Sequence, residues 1–178
     1  MNAQLQEIRD ELRSARDRLH RLAGSLSDDA WSRRPGPDRW SPAECVAHLD
    51  LTSAAFVPLL REGLDRARAL GGPPPSRYRR DPVGWLLWRT MGPPVRGRVK
   101  TIAPFVPRGD LPPEALIAEF DRHQEELGSI VVSADGLPLG RVRIPSPFAE
   151  RVRYNLFSAL SILPRHQHRH LWQAERAG

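Results

Sequence analysis

Residues 40–49 read Trp40-Ser41-Pro42-Ala43-Glu44-Cys45-Val46-Ala47-His48-Leu49, a helix start signal with a histidine in the second turn. Ser41 can accept from the backbone ahead of it, Pro42 sits where a missing N–H costs nothing, and Glu44 can reach back to the Ser41 amide. Together they form a capping box. A long helix therefore starts at Ser41 or Pro42 and runs through Val46, Leu49, Phe56, Leu60 and Leu64 toward Gly71-Gly72. A kink is expected near Pro58, whose ring blocks the bond to the Ala54 carbonyl. Upstream, Leu5, Ile8, Leu12, Ala15, Leu19 and Leu22 recur at steps of three and four, the stripe of an amphipathic helix over residues 3–23. Ser27 followed by two acids predicts a short helical turn around Trp31. Downstream, residues 71–113 hold ten of the 18 prolines, so this stretch reads as a long connection, with about two helical turns between Pro82 and Met91. Pro112-Pro113-Glu114 and the stripe Leu116, Phe120, Leu127, Ile130 predict a third long helix ending before Gly136. Gly140 to Pro145 reads as an extended connector. Ser146-Pro147 reads as the opening of a fourth helical region that carries Leu156, Leu160 and Leu163 past a kink at Pro164 to Trp172 and Ala174. The expected fold is all-α: a four-helix bundle, one domain over residues 1–178, with a long crossover between helices two and three.

Composition narrows the function classes. At 178 residues, with 40% hydrophobic and 27% charged residues, the chain can bury a core without a disulfide or metal staple. No apolar run approaches the roughly 18 residues of a membrane span, and the charged, periodic amino terminus is unlike a secretory signal. Cys45 is the single cysteine, which excludes a disulfide scaffold and fits a cytoplasmic protein. The net charge is +6, yet its distribution is uneven. Arg77 to Arg108 holds eight basic residues against Asp81, while the rest of the chain nets −1. This segment carries Trp85 and Trp88 and has three readings: a lid over a site, a membrane-surface helix, or a nucleic-acid patch. Burial of the aromatics with arginines left in water is the default, and the positive field would attract an anionic substrate.

The chemistry-bearing pattern is Arg165-His166-Gln167-His168-Arg169-His170. On a helix, His166 and His170 share a face and can chelate a divalent ion, whereas His168 points about 200° from His166. His48 lies in the second turn of helix two, with small neighbours, Cys45 and Thr52, that leave room beside it. Taken in order, Trp40-Ser41-Pro42-Ala43-Glu44, Ala47-His48-Leu49 and His166-x-x-x-His170-Leu171-Trp172-Gln173 make the chain resemble the DinB-like superfamily, also described as YfiT-like metal-dependent hydrolases. The likeness spans nearly the whole chain, including Pro93-Pro94 and Phe105-Val106-Pro107 in the connection. It implies a three-histidine metal site formed by His48, His166 and His170. It also implies company with thiol S-transferases that use bacillithiol and a mycothiol-dependent isomerase, so a low-molecular-weight thiol is a candidate co-substrate.

Three neutral imidazoles leave a divalent metal its full charge and an open coordination position, the geometry of a catalytic site. Zinc is the first choice, with nickel, iron and manganese as alternatives. Gln173 shares the His170 face and reads either as a neighbour of the ligands or as a surface residue; Thr52 lines the same turn of helix two. His123 falls on the apolar stripe of helix three and reads as a cavity or core histidine. Glu44 is accounted for by the capping box. Because each imidazole must be neutral to ligate, a free-histidine pKa near 6.5 predicts metal loss below roughly pH 6. The expected function is a metal-dependent transferase or hydrolase acting on a small, anionic substrate, with thiol S-transfer favoured and a homodimer left open. The alternative is a non-catalytic protein whose 77–108 segment holds nucleic acid or another anionic partner; nucleic acid is the less favoured of these.

Overall fold

Six of the apolar positions in the first stripe, Leu5 through Leu22, are buried along one face of α1 (Ala3–Ser25), and Asn2 caps its start by accepting from the Gln4 amide. A short α2 (Asp28–Ser32) follows, capped by Ser27 and burying Trp31. The capping box then opens α3 (Pro42–Leu70): Ser41 Oγ accepts from the Glu44 amide and Glu44 accepts from the Ser41 amide. Gly71, with φ of 58°, ends it in a conformation that favours glycine. Next come α4 (Pro82–Met91), a 3₁₀ turn at Ala103–Phe105 and α5 (Pro113–Ser133). The chain closes with a hairpin of β1 (Arg143–Ser146) and β2 (Ala149–Asn155), and then α6 (Leu156–Ala174). This computed structural model describes residues 1–94, 101–107 and 111–178; Arg96, Arg98, Lys100 and Arg108 of the basic segment lie outside the described residues. Helix α3 and helix α6 are each continuous across their internal prolines, Pro58 and Pro164.

The chain is mostly helical with one small antiparallel sheet, which corrects the purely helical expectation. Ser146-Pro147 does not open a helix. It lies at the hairpin turn, and Ile144 pairs with Tyr154 while Pro145 pairs with Arg153. The alternation across Glu150–Tyr154 suits a strand, and the cap that starts α6 is Asn155, whose side chain accepts from the Ser158 amide. Ile144 and Tyr154 are both buried, and the hairpin seats on α3 at Gly63, where a Cβ would come within 3.1 Å of Ile144 and 2.9 Å of Leu156.

Helix α1 and helix α3 each pack against both α5 and α6. Their apolar side chains form two clusters. One contains Leu5, Ile8, Phe56, Leu60, Leu127 and Leu160; the other contains Leu19, Trp31, Val46, Leu49, Phe120 and Leu171. All four long helices pass from one cluster to the other, and between the two clusters three of them bury polar side chains: Asp50, Thr52 and Ser53 on α3, His123 and Gln124 on α5, His166, Gln167 and His170 on α6. By length and composition α3 could span a bilayer, but 72% of its most apolar window is buried inside the protein, as befits a core helix.

Helix α4 lies along α6. Trp88 takes the Arg80 guanidinium at 4.1 Å and that of Arg165 at 4.6 Å from its ring centroid, so the aromatic ring seats the helix between two cations. Closest approach is at Gly84, where a Cβ would overlap the Ser158 side chain. Gly84→Ala should therefore destabilise the protein by about 1–3 kcal/mol. Adding Ser158→Gly removes the obstructing atoms and should recover part of the loss, measured by urea denaturation. A Gly84→Ala variant as stable as the parent would refute this close docking.

Candidate metal centre

His48 enters from the second turn of α3, which the capping box fixes in register, and His166 and His170 enter one turn apart from α6. All three are buried, and each offers a ring nitrogen such that the three donor atoms lie within 4.8 Å of one another. Ring centroids are 5.2 Å apart for His48 and His166, and 4.5 Å apart for each of the other two pairs. The Nε2 atoms of His48 and His166 stand 3.4 Å apart, the edge of a tetrahedron whose metal–nitrogen bonds are about 2.0–2.1 Å.

The tautomer of His48 follows from its partner. Its Nδ1 lies 2.8 Å from the Phe105 carbonyl oxygen, which can only accept, so Nδ1 carries the proton and Nε2 turns a lone pair inward. Phe105 belongs to the connection between α4 and α5, so a backbone group from that connection orients a side chain of α3. The Nδ1 atoms of His166 and His170 are buried without a hydrogen-bond partner. Burial lowers the pKa of all three rings. For His166, burial first and then its neighbours His48 and Arg169 bring it to about 3. Withdrawal from water thus favours the neutral, ligating form of each ring. A cluster of neutral nitrogens facing one another, two rings of which have an orphaned polar atom, is a donor set that fits a divalent ion.

Aromatic rings wall the cluster. Trp40 is 4.9 Å from His48 and 5.7 Å from His170, and Phe148, at the hairpin turn, is 5.8 Å from His166 and 4.4 Å from Phe105. The wall residue Phe148 was missed in the sequence because its segment reads there as helix, and the Phe105 carbonyl leaves no side-chain signature. Of the other candidates, Gln173 is half-buried beside His170 and favours the charged form of that ring. Thr52 is buried and donates to the His48 carbonyl at 2.7 Å, so its hydroxyl is spent on the helix backbone. His123 points inward but is not in the cluster; its Nε2 lies 3.1 Å from Glu119 on its own helix. His168 turns to Glu11 of α1, at 3.1 Å. Glu44 is pushed up by burial but held below its ordinary pKa by Arg34 and Ser41, so it is an ion-paired cap and not a free base. Burial pushes the Cys45 thiol up to about 12, which keeps it protonated.

These features define a helical protein with a buried three-histidine centre roofed by aromatic rings. The family model described as the DinB superfamily matches residues 11–174, and the chain belongs to that superfamily. No curated protein and no solved structure matches the chain.

The polar level that holds the histidines also contains Asp50, whose two carboxylate oxygens are buried with no hydrogen-bond partner. Burial, reinforced by Glu119, pushes its pKa up to about 8 in the folded state, against about 3.9 unfolded. A raised carboxyl binds more protons folded than unfolded, so its contribution is most favourable below pH 4 and is lost as pH rises toward about 8. In metal-free protein, Asp50→Asn should therefore melt higher than the parent at alkaline pH, with the gap closing as pH falls toward about 4. Melting curves across that range check it, and a gap independent of pH would show that Asp50 is ionised in the fold.

Proposed function

We propose that this chain is a metal-dependent enzyme acting on small molecules, a transferase or hydrolase with thiol S-transfer favoured, and that His48, His166 and His170 are the ligands of one divalent ion, zinc first. We read α1, α3, α5 and α6 as one four-helix bundle within a single domain, with residues 71–112 as its crossover. The observation that carries the reading is the convergence of three buried, neutral imidazoles whose donor atoms lie within 4.8 Å of one another.

When bound, the ion would supply a Lewis acid of undiminished +2 charge, drawing a water or thiol toward its ionised form near neutrality. The chain's own residues do the rest. Phe105 fixes the His48 ring through its carbonyl, and Trp40, Phe105 and Phe148 exclude water and offer apolar contact to a substrate. Glu44, one turn before His48, is paired with Arg34 and is not a free base. In the thiol transfer that this reading favours, the ionised thiol is itself the nucleophile and needs no further carboxylate to activate it.

Zinc-loaded protein should contain one ion per chain. Changing His48, His166 or His170 to Ala should each remove most of it, and His168→Ala should leave it in place, with circular dichroism confirming the fold of every variant. Loaded protein should also melt above metal-free protein at neutral pH, since an ion bound at about 100 times its dissociation constant adds about 2.7 kcal/mol. Identical melting of both forms, or equal metal in all four variants, would overturn the assignment. A screen of low-molecular-weight thiols against electrophiles then tests the reaction, the expected result being thiol consumption that needs both the metal and His48.

A further inference from the structure

Helix α4 is apolar on two opposite faces. Leu87, Trp88 and Met91 pack against the core. On the other side Val83, Trp85 and Leu86 stand in water, 39%, 50% and 56% exposed. Strand β2, which packs beside α4, adds Val152 at 37% exposure. A helix that only needed to cover α6 would present one apolar stripe and a polar back. Contiguous exposed apolar side chains of this size mark a surface that meets something else.

Basic side chains predominate on α4, on β2 and on the residues that lead into α4, where Arg77, Arg79, Arg80, Arg89, Arg151 and Arg153 stand against Asp81 and Glu150. Several arginines of the long helices find carboxylates, Arg16 with Asp121, Arg61 with Glu126, Arg68 with Asp65 and Arg122 with Glu119, whereas exposed Arg21, Arg33, Arg39 and Arg141 do not among the described residues. Among the described residues, Arg77, Arg79, Arg89, Arg151 and Arg153 form no ion pair. Asp81 accepts from the Gly84 and Asn155 backbone amides at the start of α4 and the end of β2, and it forms no ion pair with an arginine among the described residues. Glu150 is the one acid on β2. Arg89 reaches back over Trp85, 5.8 Å from the ring centroid.

We propose that this face of α4 and β2 docks on an anionic lipid bilayer, with Trp85, Leu86 and Val83 entering the boundary between headgroups and acyl chains and Arg77, Arg79 and Arg89 meeting lipid phosphates. A Trp beside aliphatic residues, rimmed by guanidinium groups, is the composition that such a boundary selects. A second copy of the chain is the poorer occupant: pairing like faces would bring the unpaired Arg77, Arg79, Arg89, Arg151 and Arg153 of each copy together. Nucleic acid would satisfy the arginines but not Val83 and Leu86, which offer no ring for a base to stack on. The proposal is independent of the metal centre.

The test uses the full chain and vesicles of phosphatidylcholine alone or mixed with phosphatidylglycerol, read by co-sedimentation. The protein should partition onto the anionic vesicles and leave the neutral ones, and high salt should release it. Trp85→Ser with Leu86→Ser, both on the exposed side of α4, should weaken partitioning about tenfold or more, with the melting temperature and metal content unchanged. Arg77→Gln, Arg79→Gln and Arg89→Gln together should weaken it and flatten its salt dependence. No partitioning onto anionic vesicles at low salt overturns the proposal, as does partitioning that the Ser variants leave intact. Preferential retention by single-stranded DNA over vesicles, or a parent dimer that the Ser variants dissociate in the absence of any vesicle binding, would assign the face to the rejected occupants.

Discussion

The structure turns on a polar layer set across an otherwise apolar core. At one level of the helices, α3 contributes His48, Asp50, Thr52 and Ser53, α5 contributes His123 and Gln124, and α6 contributes His166, Gln167 and His170, with separate apolar clusters on either side. Burying so many polar groups is costly unless each finds a partner. Some do: Gln124 donates to Gln167 at 2.9 Å, Thr52 to the His48 carbonyl, and His48 to the Phe105 carbonyl. The Nδ1 atoms of His166 and His170, both oxygens of Asp50 and one amide atom each of Gln124 and Gln167 do not. An apolar layer of the same volume would stabilise the helices better. The cost of keeping the polar layer dry is carried by the clusters above and below.

That cost also sets the chemistry. Imidazoles withdrawn from water resist protonation, so burial keeps the three rings in the form that can donate lone pairs to a metal. The same withdrawal leaves the neighbouring thiol and carboxyl, Cys45 and Asp50, protonated. One physical cause thus separates nitrogen donors that are ready to bind from sulfur and oxygen donors that are not. The connection between α3 and α5 takes part in this selection, since its Phe105 carbonyl orients His48 and its Phe105 ring meets Phe148 from the hairpin. Segments that read as linkers by composition complete the first contacts of the site.

On α1, α3 and α5 many arginines pair with carboxylates across and along helices, whereas Arg77, Arg79 and Arg89 on the α4 side form no ion pair among the described residues. The Arg80–Trp88–Arg165 stack shows that the aromatic residues of that segment serve two ends: Trp88 fastens α4 to α6, while Trp85, three positions earlier, faces outward.

The helices were legible in the sequence because their signals are local. The stripe Leu5 to Leu22, the Ser41–Glu44 capping box, the Pro82 to Met91 turns and the Gly71 stop each depend on residues within a few positions, and the same holds for the i, i+4 pairing of His166 with His170. Bringing His48 to that pair needed the resemblance of three ordered motifs, since 118 residues separate it from His166. The hairpin was not legible: Ser-Pro at 146–147 satisfies a helix start locally, and only pairing of Ile144 with Tyr154 over Gly63 of α3 decides for strands. His123 shows what periodicity leaves open, for its place on the apolar stripe put it inward as a cavity or core histidine, and the ring meets Glu119 and stays outside the cluster. Periodicity determines which face of a helix is buried; what a buried side chain meets there, be it a carbonyl of Phe105, a ring of Phe148 or no partner at all for Asp50, is decided by contacts between elements distant in sequence, and these exist only once the chain has folded.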